Sequence, residues 1–258
     1  MKLHYKISGE GTPLIILHGL FGTLDNWGSQ VATLEQHFQI ISVDLRNHGQ
    51  SPHHEHMNYG VMANDVIELM NDLHIDQAHI IGHSMGGKVA MQLAINNVER
   101  VDKLIIVDIS PVAYPVHHQQ IIEGLLSIDL ETLKSRNDAD KQLAQYESDL
   151  GIRAFLLKNL YRNEQKKFAW RANIHVIKEE YNNISDAPSH TTKEKFTGPT
   201  LFIKGNNSAY IQMAHKSCID ELFTNVSFKL IEGAGHWPHA EKPKIFSSII
   251  RKFLQNQS

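Results

Sequence analysis

His79-Ile80-Ile81-Gly82-His83-Ser84-Met85-Gly86-Gly87 decides how the rest of the chain is read. Its first half is a short Ile-rich apolar run, the pattern of a strand buried on both faces. Its second half opens residues 85–98, where Val89, Leu93 and Ala94 fall near helical register. Between the two stands G-x-S-x-G, in the strand-turn-helix setting that gives three fixed positions their meaning. A serine on so sharp a turn has a strained backbone and lifts its hydroxyl above the sheet edge, and Gly82 and Gly86 leave room for it. The helix that follows aims free N–H groups and its positive end at any oxygen that becomes negative beside Ser84. Ser84 is the candidate nucleophile.

Working outward, Leu14-Ile15-Ile16-Leu17, Ile40-Ile41-Ser42-Val43 and Leu104-Ile105-Ile106-Val107 repeat the buried-strand pattern. Residues 58–74 separate two of these runs with Val61, Met62, Val66, Leu69, Met70 and Leu73 at helical spacing. Strands alternating with helices predict an α/β fold, a mostly parallel sheet flanked by helices. From about Pro111 the pattern changes. Residues 113–195 hold no buried-strand run but contain helix-like pieces at 121–126, 139–146, 152–160 and 170–181. Thr200-Leu201-Phe202-Ile203 and Val226-Ser227-Phe228-Lys229-Leu230-Ile231 resume the strands, and residues 244–254 close with a helix. The expected organisation is a core of residues 1–112 and 196–258, interrupted by a helical cap of residues 113–195. Pro111, Pro115, Pro188 and Pro199 punctuate its ends.

The 258 residues, 41% hydrophobic and 21% charged, suit one globular core rather than disorder, and no apolar run approaches the roughly 18 residues of a membrane span. The start, Met1-Lys2-Leu3-His4-Tyr5-Lys6, lacks the apolar stretch of about 7–15 residues that a secretory signal needs. The single cysteine, Cys218, builds no intramolecular disulfide, so a cytoplasmic location is expected. A net charge of −3 offers nothing to neutralise a phosphate backbone, which makes nucleic acid a poor partner. Seventeen histidines invite a metal reading, but the spacing does not support one. His53-His54-Glu55-His56 and His117-His118 lie beside prolines and do not present ligands one helical turn apart. No metal or cofactor is expected.

A serine nucleophile needs a base, and the base an orienting acid. After an elbow of this kind the chain order runs nucleophile, acid, base, with the base in a loop beyond the last strand. Gly233-Ala234-Gly235-His236-Trp237-Pro238 occupies that place, so His236 is the candidate base. Two N–H donors must hold the oxyanion. Leu17-His18-Gly19-Leu20-Phe21-Gly22 ends the first strand on the same sheet edge, and the amides of Leu20 and Met85 are assigned as donors, with Phe21 as the alternative to Leu20. His18 reads as a structural core histidine. Asp44 and Arg46 read as structural too, pairing with each other and with loop amides after the second strand.

With these residues in place the chain resembles the α/β-hydrolase superfamily and, within it, the YbfF-like small esterases. The generic markers are His18-Gly19, Gly82 to Gly87 and Gly235-His236. The narrower ones are Asp44-Leu45-Arg46-Asn47-His48-Gly49-Gln50-Ser51-Pro52, Val107-Asp108-Ile109-Ser110-Pro111 and Trp170-Arg171-Ala172-Asn173. The resemblance implies hydrolysis of esters or thioesters, acyl-coenzyme A esters included, without a cofactor and beneath a helical cap. One position departs from the common pattern. Where many members carry the acid, three residues after the glycine ending the penultimate strand, Gly205-Asn206-Asn207-Ser208 offers a serine. A serine cannot carry the charge that steadies an imidazolium. Asp108, at the end of the strand after the nucleophile helix, keeps the order Ser84, Asp108, His236 and lies on the correct edge; the narrower family places its acid similarly. Ser208 then becomes an auxiliary partner of His236 or Asp108.

The expected function is a serine hydrolase that cleaves small-molecule carboxylic esters or thioesters through an acyl-enzyme. Two alternatives stand beside it. One is a ligand-binding or receptor-like protein on the same scaffold with slow turnover. The other is a carbon–carbon bond hydrolase, which uses the same triad on carboxylate-bearing substrates; the sequence shows no obvious basic cluster near the site. Trp170 and Arg171 either line a pocket or lock the cap to the core. Acyl length, leaving group and oligomeric state are left open by the sequence.

Overall fold

A computed structural model describes residues 1–189 and 194–255. Nine strands follow in chain order: β1 (Tyr5–Ser8), β2 (Pro13–Leu17), β3 (Gln39–Val43), β4 (Ala78–His83), β5 (Val101–Val107), β6 (Leu160–Arg162), β7 (Phe168–Trp170), β8 (Thr200–Gly205) and β9 (Val226–Ile231). Seven of them form one sheet in the order β1-β3-β2-β4-β5-β8-β9. Its pairs are parallel, except that β1 runs antiparallel to β3. This is the α/β-hydrolase fold. Every apolar run singled out in the sequence lies in one of these strands. β1 has no such run because it is a half-exposed edge strand, and periodicity does not reveal it.

The inner strands β2, β3, β4, β5 and β8 are largely apolar because both faces are covered. Ile15, Leu17, Ile80, Leu104 and Ile106 face one way, into a cluster with Met62, Val66 and Leu69 of the helix Tyr59–Asp72 and with Val89 and Leu93 of the helix Met85–Asn96. Their neighbours Leu14, Ile16, Ile81, Ile105 and Val107 face the other way, against Trp27, Leu34 and, from the helix Pro243–Gln255, Phe246 and Ile250. At roughly 25 cal/mol per Å² of apolar surface removed from water, these two layers are the main favourable term in folding. Among the described residues no helix is long and apolar enough to cross a membrane.

Between β5 and β8 the described residues form five α-helices and one small hairpin. The expected helix over 170–181 is in error at its start. Trp170 ends β7, and the helix spans Ile174–Glu179. Likewise the helix expected over 152–160 ends at Leu156, and Leu160 opens β6. The reason is local: Asn163 Oδ1 accepts the amides of Gln165 and Lys167, both at 3.0 Å, and this side-chain-closed turn pins β6 against β7 where periodicity alone reads helix. Of the expected cap, residues 190–193 lie outside the described residues.

The expected pair between Asp44 and Arg46 does not form. Asp44 accepts the amides of Leu24 (2.8 Å) and Gln50 (2.9 Å), whereas Arg46 reaches Asp65 on the helix Tyr59–Asp72 at 2.6 and 2.9 Å. Both residues lie past the end of β3, in the loop that follows it, so strand spacing no longer sets them side by side and each meets a different partner. Below them lies a reciprocal arrangement of two buried histidines. The Leu45 amide donates to His18 Nε2 at 3.0 Å, and the Phe21 amide to His48 Nε2 at 3.1 Å. Each Nδ1 meets a carbonyl, Gly19 at 2.8 Å and Arg46 at 3.0 Å, so the proton sits on Nδ1 and Nε2 accepts. His18 is structural, as expected.

Protonating either ring would set N–H against N–H inside the core. Burial holds His18 down to about 4, and burial together with the neighbouring His18 holds His48 to about 3. Unfolded, both titrate near 6.5. Between 6.5 and the folded values the unfolded chain binds the extra protons, so stability is complete above about pH 6.5 and falls as the pH drops. Each ring then costs about 2 kcal/mol between pH 7 and pH 5. Urea unfolding at those two pH values should show the midpoint falling, and less steeply in His48→Gln; equal midpoints at both pH values would contradict the arrangement.

Candidate active site

The carboxyl ends of β2, β4, β5 and β8 bring the site together. Ser84 follows β4 directly and takes φ 51° and ψ −119°, a left-handed backbone for a residue with a Cβ. Its N–H donates to the Val107 carbonyl at 3.0 Å, and its carbonyl accepts from the Lys88 amide at 3.1 Å, which fastens the turn between β5 and the following helix. The glycines are obligatory for close approach. A Cβ on Gly82 would stand 2.1 Å from the Gly86 carbonyl oxygen, and one on Gly86 would stand 2.4 Å from the His18 carbonyl oxygen.

Ser84 Oγ lies 3.0 Å from His236 Nε2, and His236 Nδ1 lies 2.7 Å from Asp108 Oδ2. Asp108 is completely buried and has its own positive φ, 53°, at the end of β5. Asp108 Oδ1 accepts the Gly205 amide at 3.1 Å, and Ser208 Oγ donates to Oδ2. A carboxylate with these donors is an acceptor only, so Nδ1 carries the imidazole proton and Nε2 faces the serine hydroxyl as an acceptor. The structure thus brings Ser84, His236, Asp108 and Ser208 into one hydrogen-bonded chain from four separate segments.

The loop that carries His236 is braced on several sides. Glu241 accepts the Gly235 amide at 2.7 Å and the Trp237 amide at 3.1 Å, one on either side of the histidine. His83 Nε2 donates to the His236 carbonyl at 2.7 Å, and the Tyr210 ring stacks on the imidazole with centroids 4.1 Å apart. Glu241 and Tyr210 were not legible in the sequence, since neither falls in a motif. His83 was visible only as the variable position of the elbow.

Met85 begins its helix, so its N–H has no intrahelical acceptor. Among the described residues no protein group accepts the Leu20 amide, whereas the Phe21 amide is committed to His48 Nε2. Of the two expected choices at this turn, Leu20 is the one whose N–H is available.

Two cavities meet at Ser84. A cleft of about 730 Å³ includes Phe155, Lys158, His236, Trp237 and Glu241 in its walls, and a small inner pocket of about 40 Å³ includes Tyr59, Met85, Lys88, Ile109 and Tyr114. One basic side chain, Lys88, lies in the wall of the small pocket. Its ammonium donates to the Ser185 carbonyl at 3.1 Å and to the Asp186 carbonyl, and sits 4.8 Å from the centre of the Tyr114 ring. Burial pushes it down to about 7, against partial support from Asp186. A lysine in the otherwise apolar start of the helix after the elbow was the available signal. Burial also holds His83 well below its ordinary value, His118 at about 4 and His239 at about 3, so these rings are neutral at physiological pH.

The remaining sequence candidates stand outside the Ser84–His236–Asp108 chain, although His117 and His118 line both cavities. His117 Nε2 pairs with Tyr210 OH at 2.7 Å, and His118 Nδ1 with Tyr181 OH at 2.5 Å. His53 Nε2 donates to the Arg171 carbonyl at 2.9 Å, and the Asn173 amide to the Asn47 carbonyl at 2.9 Å. Arg171 lies on the Tyr161 ring at 4.6 Å. Trp170 and Arg171 line neither cavity, and the segment they belong to ties the insertion to the loop after β3.

A family model described as alpha/beta hydrolase fold matches residues 12–243. Over 255 residues the chain is 38% identical to the sn-1-specific diacylglycerol lipase ABHD11 of Danio rerio, with 96% of this chain and 80% of that one aligned. It is 37% identical over 248 residues to esterase YbfF of Escherichia coli strain K12, with 96% and 94% aligned. A solved structure described as a marine microorganism esterase superposes with a TM-score of 0.95 at 39% identity, covering 98% of this chain and 99% of that one. The chain belongs to the α/β-hydrolase fold family, with relatives of the YbfF type.

Proposed function

We propose that this protein is a serine hydrolase that cleaves carboxylic esters or thioesters of small molecules through an acyl-enzyme on Ser84. The observation that carries this reading is the unbroken hydrogen-bonded chain from Ser84 Oγ through His236 to Asp108 Oδ2, opening onto a cleft of about 730 Å³. The names of the relatives, an esterase and a diacylglycerol lipase, agree with it.

Ser84 Oγ attacks the acyl carbonyl carbon as His236 Nε2 takes the hydroxyl proton. The carbonyl oxygen becomes an oxyanion, and the Leu20 and Met85 amides hold it with help from the positive end of the helix Met85–Asn96. Asp108 keeps the imidazole oriented and stabilises its protonated form. The tetrahedral adduct collapses with loss of the alcohol or thiol, which leaves with the proton from His236. Water then attacks the acyl-enzyme while His236 accepts its proton, and the second collapse returns that proton to Ser84 and frees the carboxylic acid. Residues 113–195 act as the cap, since His117, His118 and Phe155 from that segment wall the cleft above Ser84.

Ser84→Ala is expected to abolish hydrolysis of a chromogenic short-chain ester with the far-ultraviolet circular dichroism unchanged; retained turnover would remove Ser84 from the scheme. A receptor-like protein would give one stoichiometric burst and then stop, so sustained steady-state turnover by the unaltered chain separates the two readings.

Asp108→Asn should lower kcat by about 10⁴-fold, the scale of losing a triad acid, because the amide cannot support the imidazolium. Ser208→Ala should cost far less, since Gly205 N–H still holds the carboxylate. Steady-state kinetics of the two variants would show it, and near-normal turnover in Asp108→Asn would move the acid elsewhere.

A further inference from the structure

The two cavities share Leu20, Ser84, His117, His118 and Tyr210, but His236 walls only the large cleft, whereas Met85, Lys88 and Ile109 wall only the small pocket. In the proposed reaction the group that accepts the serine proton returns it to the leaving atom, so the leaving group must stand on the His236 side of Ser84. The rest of the acyl group then points the other way, past Met85 toward Ile109. We propose that the small pocket receives the acyl chain and the large cleft the leaving group, which makes this a short-acyl hydrolase that favours bulky uncharged or cationic leaving groups over polyanionic thiols. This rests on Ser84 being the nucleophile.

The size follows from volume. About 40 Å³, at about 10–15 Å³ for each water-sized group, has room for about three such groups beyond the carbonyl. That suits acyl chains of about two to four carbons. The walls are tied in place: Tyr59 OH donates to the Ile184 carbonyl, Tyr114 OH to the Tyr210 carbonyl, and Lys88 to the Ser185 and Asp186 carbonyls. A longer chain would have to break these bonds to enter.

The charge preference comes from the cleft. Glu147, Asp149 and Glu241 line it against one lysine, Lys158. The three carboxylates accept backbone amides: Glu147 from Asp149, Asp149 from Ile152, and Glu241 from Gly235 and Trp237. Arg153, which donates to the Glu147 and Ser148 carbonyls, is ion-paired with Asp140. The buried histidines of the cleft, His18, His83, His118 and His239, contribute no positive charge at neutral pH. A cleft with this excess of one sign repels like-charged ligands within a Debye length of about 8–10 Å.

Two substrate series test the inference. With p-nitrophenyl esters, kcat/KM should fall by at least about tenfold from propionyl to octanoyl, and Ile184→Ala, which opens a wall of the small pocket, should move the optimum to longer chains. An octanoyl optimum in the unaltered protein would overturn the acyl assignment. With three acetyl thioesters, S-acetyl-N-acetylcysteamine (neutral), S-acetylthiocholine (cationic) and acetyl-coenzyme A (polyanionic), the last should be slower by about tenfold or more. The gap should narrow between about 20 mM and about 500 mM salt, and in the double variant Glu147→Gln with Asp149→Asn. Those substitutions keep the carbonyl acceptors, and Asn caps a helix as well as Asp does. Equal rates for the neutral and polyanionic thioesters at low salt would overturn the charge preference. No turnover of any ester, with Ser84 unlabelled by a fluorophosphonate, would instead overturn the serine-hydrolase reading and this inference with it.

Discussion

The backbone of Ser84 is the constraint on which the site depends. A left-handed conformation at a residue with a Cβ costs roughly 1–3 kcal/mol and persists only where the surroundings over-determine it. Here they do so through hydrogen bonds to Val107 and Lys88 and through contacts that only glycine permits at 82 and 86. A β-carbon at Gly86 would strike the loop after β2, the loop that carries the Leu20 amide. The strain at one residue therefore ties β4, β5 and the first loop into a single unit, and that unit sets Ser84, Met85 and Leu20 beside one another.

Around this unit the polar groups sort by protonation as much as by position. The His18–His48 arrangement uses the neutral rings as paired donors and acceptors and holds the loops after β2 and β3 together. His83, one residue before Ser84, is likewise neutral and supports the carbonyl of His236. Of the histidines near the site, His236 alone is hydrogen-bonded to a carboxylate among the described residues, which gives an imidazolium somewhere to form. Part of the histidine excess is thus structural: His18, His48 and His83 are buried donors and acceptors to backbone groups, and they stay uncharged because desolvation makes protonation costly.

Much of the sheet was legible because a doubly covered strand must be apolar at every position, and Leu14 to Leu17, Ile80 to Ile81 and Leu104 to Val107 have no other stable use in a globular chain. β1 was not, because an edge strand half in solvent obeys no such rule. Ser84 and His236 were readable from motifs whose glycines answer local steric needs. Asp108 needed an argument from chain order, since a carboxylate before Ser-Pro looks like any turn residue. Lys88, Tyr210 and Glu241 carried almost no signal, because each takes its place from a segment distant in sequence.

Neighbours along the chain were enough to set strand and helix periodicity, the glycines of the elbow and the interruption of the sheet pattern between Asp108 and Thr200. These are local because sterics and amphipathic spacing act over a few residues. The tertiary structure alone decided which donors remain free, as Phe21 gave its amide to His48 and Leu20 did not. It also decided that Arg46 reaches Asp65 rather than Asp44, and that Lys88 lies buried under the insertion instead of in water. Hydrogen-bond partners and desolvation depend on what the fold packs against a group, and adjacency in the chain does not reveal that.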